Sequence, residues 1–408
     1  MQSIGSARLF LAFCRGACYN FHKETKGRES MRVVIAMDSF KGSLSSLEAG
    51  QAVKLGILRA FPSAETEICP LADGGEGTAA ALTAGLHGET VHITVTGPLG
   101  APVSCAYGMA GDLAVIEMAG AAGLTLVPPE RRNPLYTTTY GVGEVIRDAI
   151  ARGCRRFILG IGGSATNDGG AGMLQALGFD LSDAGGKPIP RGAAGLEKLR
   201  QISAENALAA LRDCTFRVAC DVQNPLCGRD GCSAVYGPQK GADGESIRCM
   251  DHWLRDYAAL AKTVFPASDA SYPGSGAAGG MGFALRTFLG ARLESGVKIV
   301  TEETGLAEKI RAADLVVTGE GRMDAQTSMG KAPVGVAQLA ARYEKPVLAF
   351  AGGIGAGARA CNAAGILAFF PAVRGITTLE EAMRPETAAQ NLTDSAEQAF
   401  NLLKLRLP

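Results

Sequence analysis

An excess of charge of one sign is missing from this sequence: Lys plus Arg number 40, Asp plus Glu number 40, and the formal net charge is zero. Proteins of nucleic acid or membrane surfaces usually carry a basic excess, so the balance argues against both roles. Paired cysteines are missing as well. The chain has 11 Cys but no C-x-x-C spacing of the kind that marks a zinc site. Cys220, Cys227 and Cys232 come nearest to a cluster, whereas Cys69, Cys105 and Cys154 lie in apolar segments where Cys acts as a small hydrophobe. Reduced thiols in a cytoplasm are therefore expected. Histidine is scarce, at 4 residues, and His22, His87, His92 and His252 sit in unremarkable surroundings. They read as surface or satisfied histidines and offer no serine triad. No repeat of solenoid period occurs.

The first thirty residues lack what a membrane or export signal needs. The apolar run Leu9–Phe13 is short and broken by Arg15, with no convincing signal-peptide core or cleavage site. A clean strand pattern begins only after Met31. Met31 is the expected start, and residues 1–30 read as an upstream extension or a disordered tail.

Glycine is what the chain has in excess, at 54 residues spread through short loops. That distribution signals special backbone geometry rather than low complexity. A hydrophobic share of 47% with 20% charge describes a well-packed globular protein, and 408 residues favour two domains. Short apolar runs at 32–37, 67–72, 156–160, 216–219, 314–318 and 347–351 lead into glycine and acid, mostly followed by helical periodicity. This is the texture of parallel βα units. Between Val91 and Val127 the texture changes, with short strands separated by Gly-Pro and Gly-Ala turns, as in an antiparallel meander. The fold class expected is α/β. A discontinuous, Rossmann-like parallel-sheet domain would comprise residues 31–85 and 286–408. A second α/β domain, residues 86–285, would be inserted into it, with an active-site cleft between the two.

Chemistry-bearing residues gather after these runs. Asp38-Ser-Phe-Lys-Gly-Ser43 precedes a capping box of Ser45 and Glu48, so Ser39, Lys41 and Ser43 stand at a helix start suited to an anion. Asp73, Gly74, Gly75 and Glu76 combine hard oxygen ligands with backbone that a ligand can approach closely. Gly160–Gly170 opens as G-x-G-x-x-A, with Asp180 or Asp183 near the place of a ribose-binding acid, so a dinucleotide site is one reading. Its further polar residues, Ser164, Thr166, Asn167 and Asp168, fit better with a phosphate cradle built on Gly162 and Gly163. Asp221 and Asn224 end another apolar run, where Asp221 could take a proton or a metal, or simply close an Asx turn. Lys240 lies on the Gly237–Gly241 turn, and Pro273–Phe283 is either a hinge or a backbone cradle. Last, 314–331 delivers Glu320, Arg322, Asp324, Thr327 and Lys331 before a helix with Pro333 in its first turn. It is neither a Walker A loop nor a protein-kinase signature. Asp, Glu, Lys, Ser, Thr and free amides at strand ends are the inventory of phosphoryl transfer.

Taken together, 38–43, 71–78, 162–170, 220–226, 237–241, 273–283 and 318–331 resemble the bacterial glycerate kinases of the first type. The resemblance runs from Met31 to near the end, and residues 1–30 match nothing in it. It implies ATP- and Mg²⁺-dependent phosphorylation of D-glycerate at the 2-hydroxyl in the cytoplasm, by a monomer or homodimer. Under that resemblance Asp221 or Asp73 would orient or deprotonate the hydroxyl, and Asp168, Glu320 or Asp324 would hold Mg²⁺. Lys331 and the amides of Gly162–Ser164 would neutralise phosphate charge. Lys41, Lys240 and Arg322 are unranked candidates for the substrate carboxylate. A glycerate 3-kinase, a nucleotide- or phosphosugar-binding protein without kinase activity, and an NAD-binding dehydrogenase are the other readings.

Overall fold

The computed structural model describes residues 30–72 and 77–405. The N-terminal extension with His22, the loop residues Asp73, Gly74, Gly75 and Glu76, and the last three residues lie outside them. The described chain divides into two compact units, residues 30–72 with 300–405 and residues 77–299. Its strands are, in order, β1 (Arg32–Met37), β2 (Glu65–Ile68), β3 (Glu89–Thr96), β4 (Pro102–Ala110), β5 (Leu113–Glu117), β6 (Arg156–Gly160), β7 (Asp180–Ser182), β8 (Gln201–Ser203), β9 (Thr215–Ala219), β10 (Arg292–Glu294), β11 (Leu315–Met323), β12 (Val347–Ile354) and β13 (Ala368–Pro371). Among the described residues no helix is long and apolar enough to cross a membrane.

The first unit is built on a sheet of order β13-β12-β11-β1-β2 in which every pairing is parallel. Parallel strands are covered on both faces, which is why Val33 to Met37 form one unbroken buried run. The second strand lies earlier than the sequence suggests, at Glu65–Ile68, although Cys69 N and Leu71 N still donate to Ile35 O and Met37 O of β1, at 2.8 and 2.9 Å. β11 runs longer than expected. It continues through Gly319-Glu320-Gly321 and pairs Glu320 with Ala351 and Arg322 with Gly353.

The helix Ser46–Ala60 starts on the anticipated capping box. Ser45 Oγ accepts from Glu48 N at 3.2 Å, and Glu48 Oε2 accepts from Ser45 N at 2.8 Å. This helix packs on Pro385–Leu402 so closely that a Cβ at Gly56 would stand 2.2 Å from Thr393 O. Thr393 Oγ1 closes the contact by donating to Ala52 O at 2.9 Å.

The second unit carries a mixed sheet of order β10-β9-β6-β5-β4-β3. β10, β9, β6 and β5 are parallel, and β5-β4-β3 form the antiparallel meander read from the sequence. The helix Thr78–Gly85 belongs to this unit, and its Ala79 N donates to Glu117 Oε1 at the end of β5 at 2.7 Å. Aromatic pairs fill the core: Phe157 stacks on Phe216 with centroids 4.8 Å apart, and Tyr257 meets Phe283 edge to face at 5.5 Å. A separate pair, β7 with β8, has only three residues in each strand, too few for any periodicity to show.

Candidate active site

In the first unit the carboxyl ends of β1, β11 and β12 open onto a cavity of about 740 Å³. Asp38, Ser39, Lys41 and Ser43 line it from the loop after β1, Glu320 and Arg322 from β11, and Lys331 from the start of the helix Ala332–Ala341. Two residues apart on one strand, Glu320 and Arg322 share a face. Ser43 Oγ is buried here and has no hydrogen-bond partner among the described residues. A polar atom left so is costly unless something else satisfies it, which marks the wall as a ligand surface.

Glu320 is 6% exposed. Burial raises its carboxyl above the ordinary value; a hydrogen bond donated by Thr327 Oγ1 and the nearby Lys331 ammonium oppose that rise. Thr327, itself fully buried, thus holds the acid rather than facing the cavity. Asp324 stands beyond the cavity lining. Its Oδ1 accepts from Gln326 N at 2.9 Å, and its Oδ2 lies 3.7 Å from Arg322 Nε. Among the described residues no group of three or more His, Cys, Asp and Glu could hold a metal. Mg²⁺ suits a sparser set, since it commonly takes one or two carboxylates and completes its shell with water and phosphate. A buried acid with a single hydrogen bond, Glu320, fits that need.

The second unit treats its expected site residues differently. Asp168 is fully buried, with Oδ2 accepting from Thr139 N and Thr139 Oγ1, both at 2.9 Å, and from Gly172 N at 3.3 Å; Oδ1 accepts from Gly170 N at 3.1 Å. Burial pushes its carboxyl up, and these donors pull it back. With both oxygens taken by the chain's own donors, Asp168 is an anchor, not the open metal ligand the sequence suggests. Lys240 is another anchor. It is 2% exposed, and its Nζ donates to Ser164 Oγ at 2.8 Å and Thr166 O at 2.6 Å, which removes it from the candidates for a substrate carboxylate. Asn167 Nδ2 donates to Ser233 Oγ at 2.8 Å, and Asn224 is held between Asp230 O and the Tyr236 hydroxyl. Of this group only Gly162, Gly163 and Asp221 are exposed.

The dinucleotide reading of Gly160–Ala165 also fails. Gly163 O accepts from Leu124 N at 2.8 Å and Ala165 N donates to Ala122 O at 2.9 Å, so the chain turns back after β6. A helix begins only at Ala171. Nor is Pro273–Phe283 a hinge. Ala278, Gly279 and Gly280 are left-handed, at φ 53°, 68° and 93°, and Gly169 N donates to Gly279 O at 2.9 Å. A Cβ at Gly279 would lie 2.1 Å from Thr166 O, so glycine is needed for the two loops to lock together.

Sequence reasoning missed the far wall of the first unit's cavity: Gly352, Gly353 and Ile354 at the end of β12, then Ala372, Val373, Leu379, Ala382, Met383 and Asn391. The stretch Ala351-Gly-Gly-Ile-Gly-Ala-Gly357 carries the same glycine signal as the other loops. It lacks the acids that drew attention to them.

Known proteins match this chain over nearly its whole length. The model of the glycerate kinase family matches residues 33–404. A protein of Escherichia coli K12 named glycerate 2-kinase is 49% identical over 87% of this chain and 93% of its own length. A Bacillus subtilis protein named glycerate kinase is 46% identical over 92% of this chain and 98% of its own. The crystal structure of a Salmonella typhimurium LT2 protein described as glycerate kinase 2 superposes with a TM-score of 0.85 at 47% identity, covering 92% of this chain and 99% of that one. Full-length matches of this kind agree with the phosphate-suited lining of the cavity, and the chain belongs to the glycerate kinase family, whose activity is that of a phosphotransferase with an alcohol acceptor.

Proposed function

We propose that this protein phosphorylates D-glycerate with ATP at the 2-hydroxyl, releasing ADP and 2-phosphoglycerate. One observation carries the reading: Lys41, Arg322 and Lys331 line a single cavity with the buried Glu320 at the ends of parallel strands. Phosphoryl transfer depends on positioning and charge neutralisation, and this lining supplies both.

The roles divide by chemistry. Lys331 and Lys41 meet phosphate oxygens, and the orphaned Ser43 hydroxyl donates to one of them. Arg322, 74% exposed in its side chain, is free to swing toward a carboxylate. Glu320, seconded by Asp324, would hold Mg²⁺, which when bound neutralises charge on the phosphates of the nucleotide. Asp221, exposed after β9, takes the proton of the glycerate hydroxyl as its oxygen bonds to the γ-phosphorus and the bond to ADP breaks. Asp73 is the second candidate for that proton, and Gly74 and Gly75 beside it for phosphate contact. The exposed Gly162 and Gly163 offer backbone to phosphate, with Ser164 held behind them by Lys240. Nine described cysteines are free thiols, which suits a reducing cytoplasm.

The test is an ADP-release assay with D-glycerate, followed by phosphorus NMR of the product. ADP release with a 2-phosphoglycerate signal supports the reading. A 3-phosphoglycerate signal would move the acceptor to the other hydroxyl, and no release above the glycerate-free rate would overturn the kinase assignment.

A further inference from the structure

The cavity of the first unit is chemically two-sided. Its strand-end floor carries Lys41, Glu320, Arg322 and Lys331, whereas its far wall is mostly apolar, with Ile354, Val373, Leu379, Ala382 and Met383 beside the hydroxyl-bearing Thr377 and Thr378. A three-carbon hydroxy acid has no apolar part that would need such a wall, and a space of about 740 Å³ is far larger than it requires. Leu379 is 76% and Ile354 39% exposed, so the wall leaves large hydrophobic side chains open to water. Apolar surface gathered at a cavity is a mark of ligand contact. Polar chemistry also reaches that wall: Asn391, on the helix Pro385–Leu402 one turn from the lining residue Ala388, points a side-chain amide with no hydrogen-bond partner among the described residues. The two sides adjoin, because Met383 Cε would lie 3.0 Å from a Cβ at Gly42, next to Lys41.

We infer that this cavity seats the whole phosphoryl donor as a purine nucleotide, with its base against Ile354, Leu379, Ala382 and Met383 and the Asn391 amide reading the base edge. The inference rests on the kinase reading above and deepens it. A carboxamide presents a donor and an acceptor side by side, the complement of the N6 and N7 edge of adenine. The flat base supplies an apolar face to cover the wall, and the phosphates extend to Lys41 and Lys331.

The experiment uses the full chain, titrated calorimetrically with a non-hydrolysable ATP analogue and assayed with ATP and glycerate, as wild type, Ala382→Trp, Leu379→Glu and Asn391→Ala. Filling the wall in Ala382→Trp should weaken analogue binding and raise the KM for ATP about tenfold or more, with the KM for glycerate within about twofold. Asn391→Ala should narrow the preference for ATP over GTP. If Ala382→Trp does not fold, the exposed Leu379→Glu carries the same expectation. Unchanged analogue affinity, or a rise confined to the KM for glycerate, would overturn the inference while leaving a wild-type glycerate kinase intact. Conversely, a wild type that binds the analogue through this wall but makes no phosphoglycerate keeps the nucleotide pocket and sinks the glycerate reading.

Discussion

The amide and the hydroxyl of Thr139 both donate to one oxygen of Asp168, each at 2.9 Å. The same hydroxyl accepts from Met173 N at 3.0 Å, so one acid and one threonine tie two backbone segments of the second unit together, that at Thr139 and that of residues 168–173. A sequence motif that looks like a metal loop is here a buried clasp.

That difference separates two acids that look alike in sequence. Asp168→Asn turns an amide NH₂ toward backbone donors and should cost about 2–3 kcal/mol of stability. Asp221→Asn should leave the melting temperature unchanged and lower kcat by about 100-fold or more. Thermal melts alongside steady-state rates check both; a stable, inactive Asp168→Asn protein would restore that acid to the catalytic list.

Glu320 should reveal a trade between stability and activity. Its carboxyl is raised by burial above 4.5, so the folded state binds the proton more tightly than the unfolded chain. Stability from this group is present at low pH and falls as pH rises through the window above 4.5. Glu320→Gln should therefore melt higher than wild type near neutrality, with the gap closing in acid, and should lose most of its activity. A pH series of melts reads this directly.

Lys240 gives the opposite slope. Burial lowers its ammonium from 10.5 to about 8, so between these values the unfolded chain holds a proton that the folded one has released. Stability from this group rises with pH across that interval. The titrating groups Cys232 and Asp168 act on it electrostatically, both opposing the fall. Urea midpoints for wild type and Lys240→Met across the interval should diverge, the wild type gaining relative to the variant. Parallel curves would exclude the buried ammonium as their source.

Ala278 is the non-glycine member of a left-handed run, at φ 53°. Left-handed backbone costs an alanine about 1 kcal/mol. Ala278→Gly should recover that amount in urea unfolding, and a loss of stability instead would mean that its methyl contributes more packing than strain.

Much of this architecture could be read from local pattern. β1 and β6 fall on the expected residues because runs such as Val33–Met37 and Phe157–Leu159 are buried on both faces, and the Ser45–Glu48 box is a short-range device. The antiparallel meander shows in alternation alone. What local pattern does not carry is the partner a side chain finds from afar. Lys240 and Ser164 lie 76 residues apart, so nothing near Lys240 announces that its charge is buried. Leu379, Ala382 and Met383 look like parts of an ordinary short helix, and only the strand ends opposite make them a wall. The expected apolar run stops at 318, but ladder pairing with β12 keeps the chain extended through Gly319–Gly321 and so fixes where Glu320 and Arg322 face.

The sheet of the first unit also imposes a timetable on synthesis. Arg32 N donates to Asp314, 282 residues downstream, and β1 lies between β2 and β11. While the chain emerges from the ribosome, β1 has only the edge strand β2 beside it until most of the protein has been made and β11 appears. The strands of the second unit are complete by Glu294, earlier in translation. The nascent chain therefore carries an unfinished apolar strand for most of its elongation, and the last hundred or so residues decide when that edge is covered.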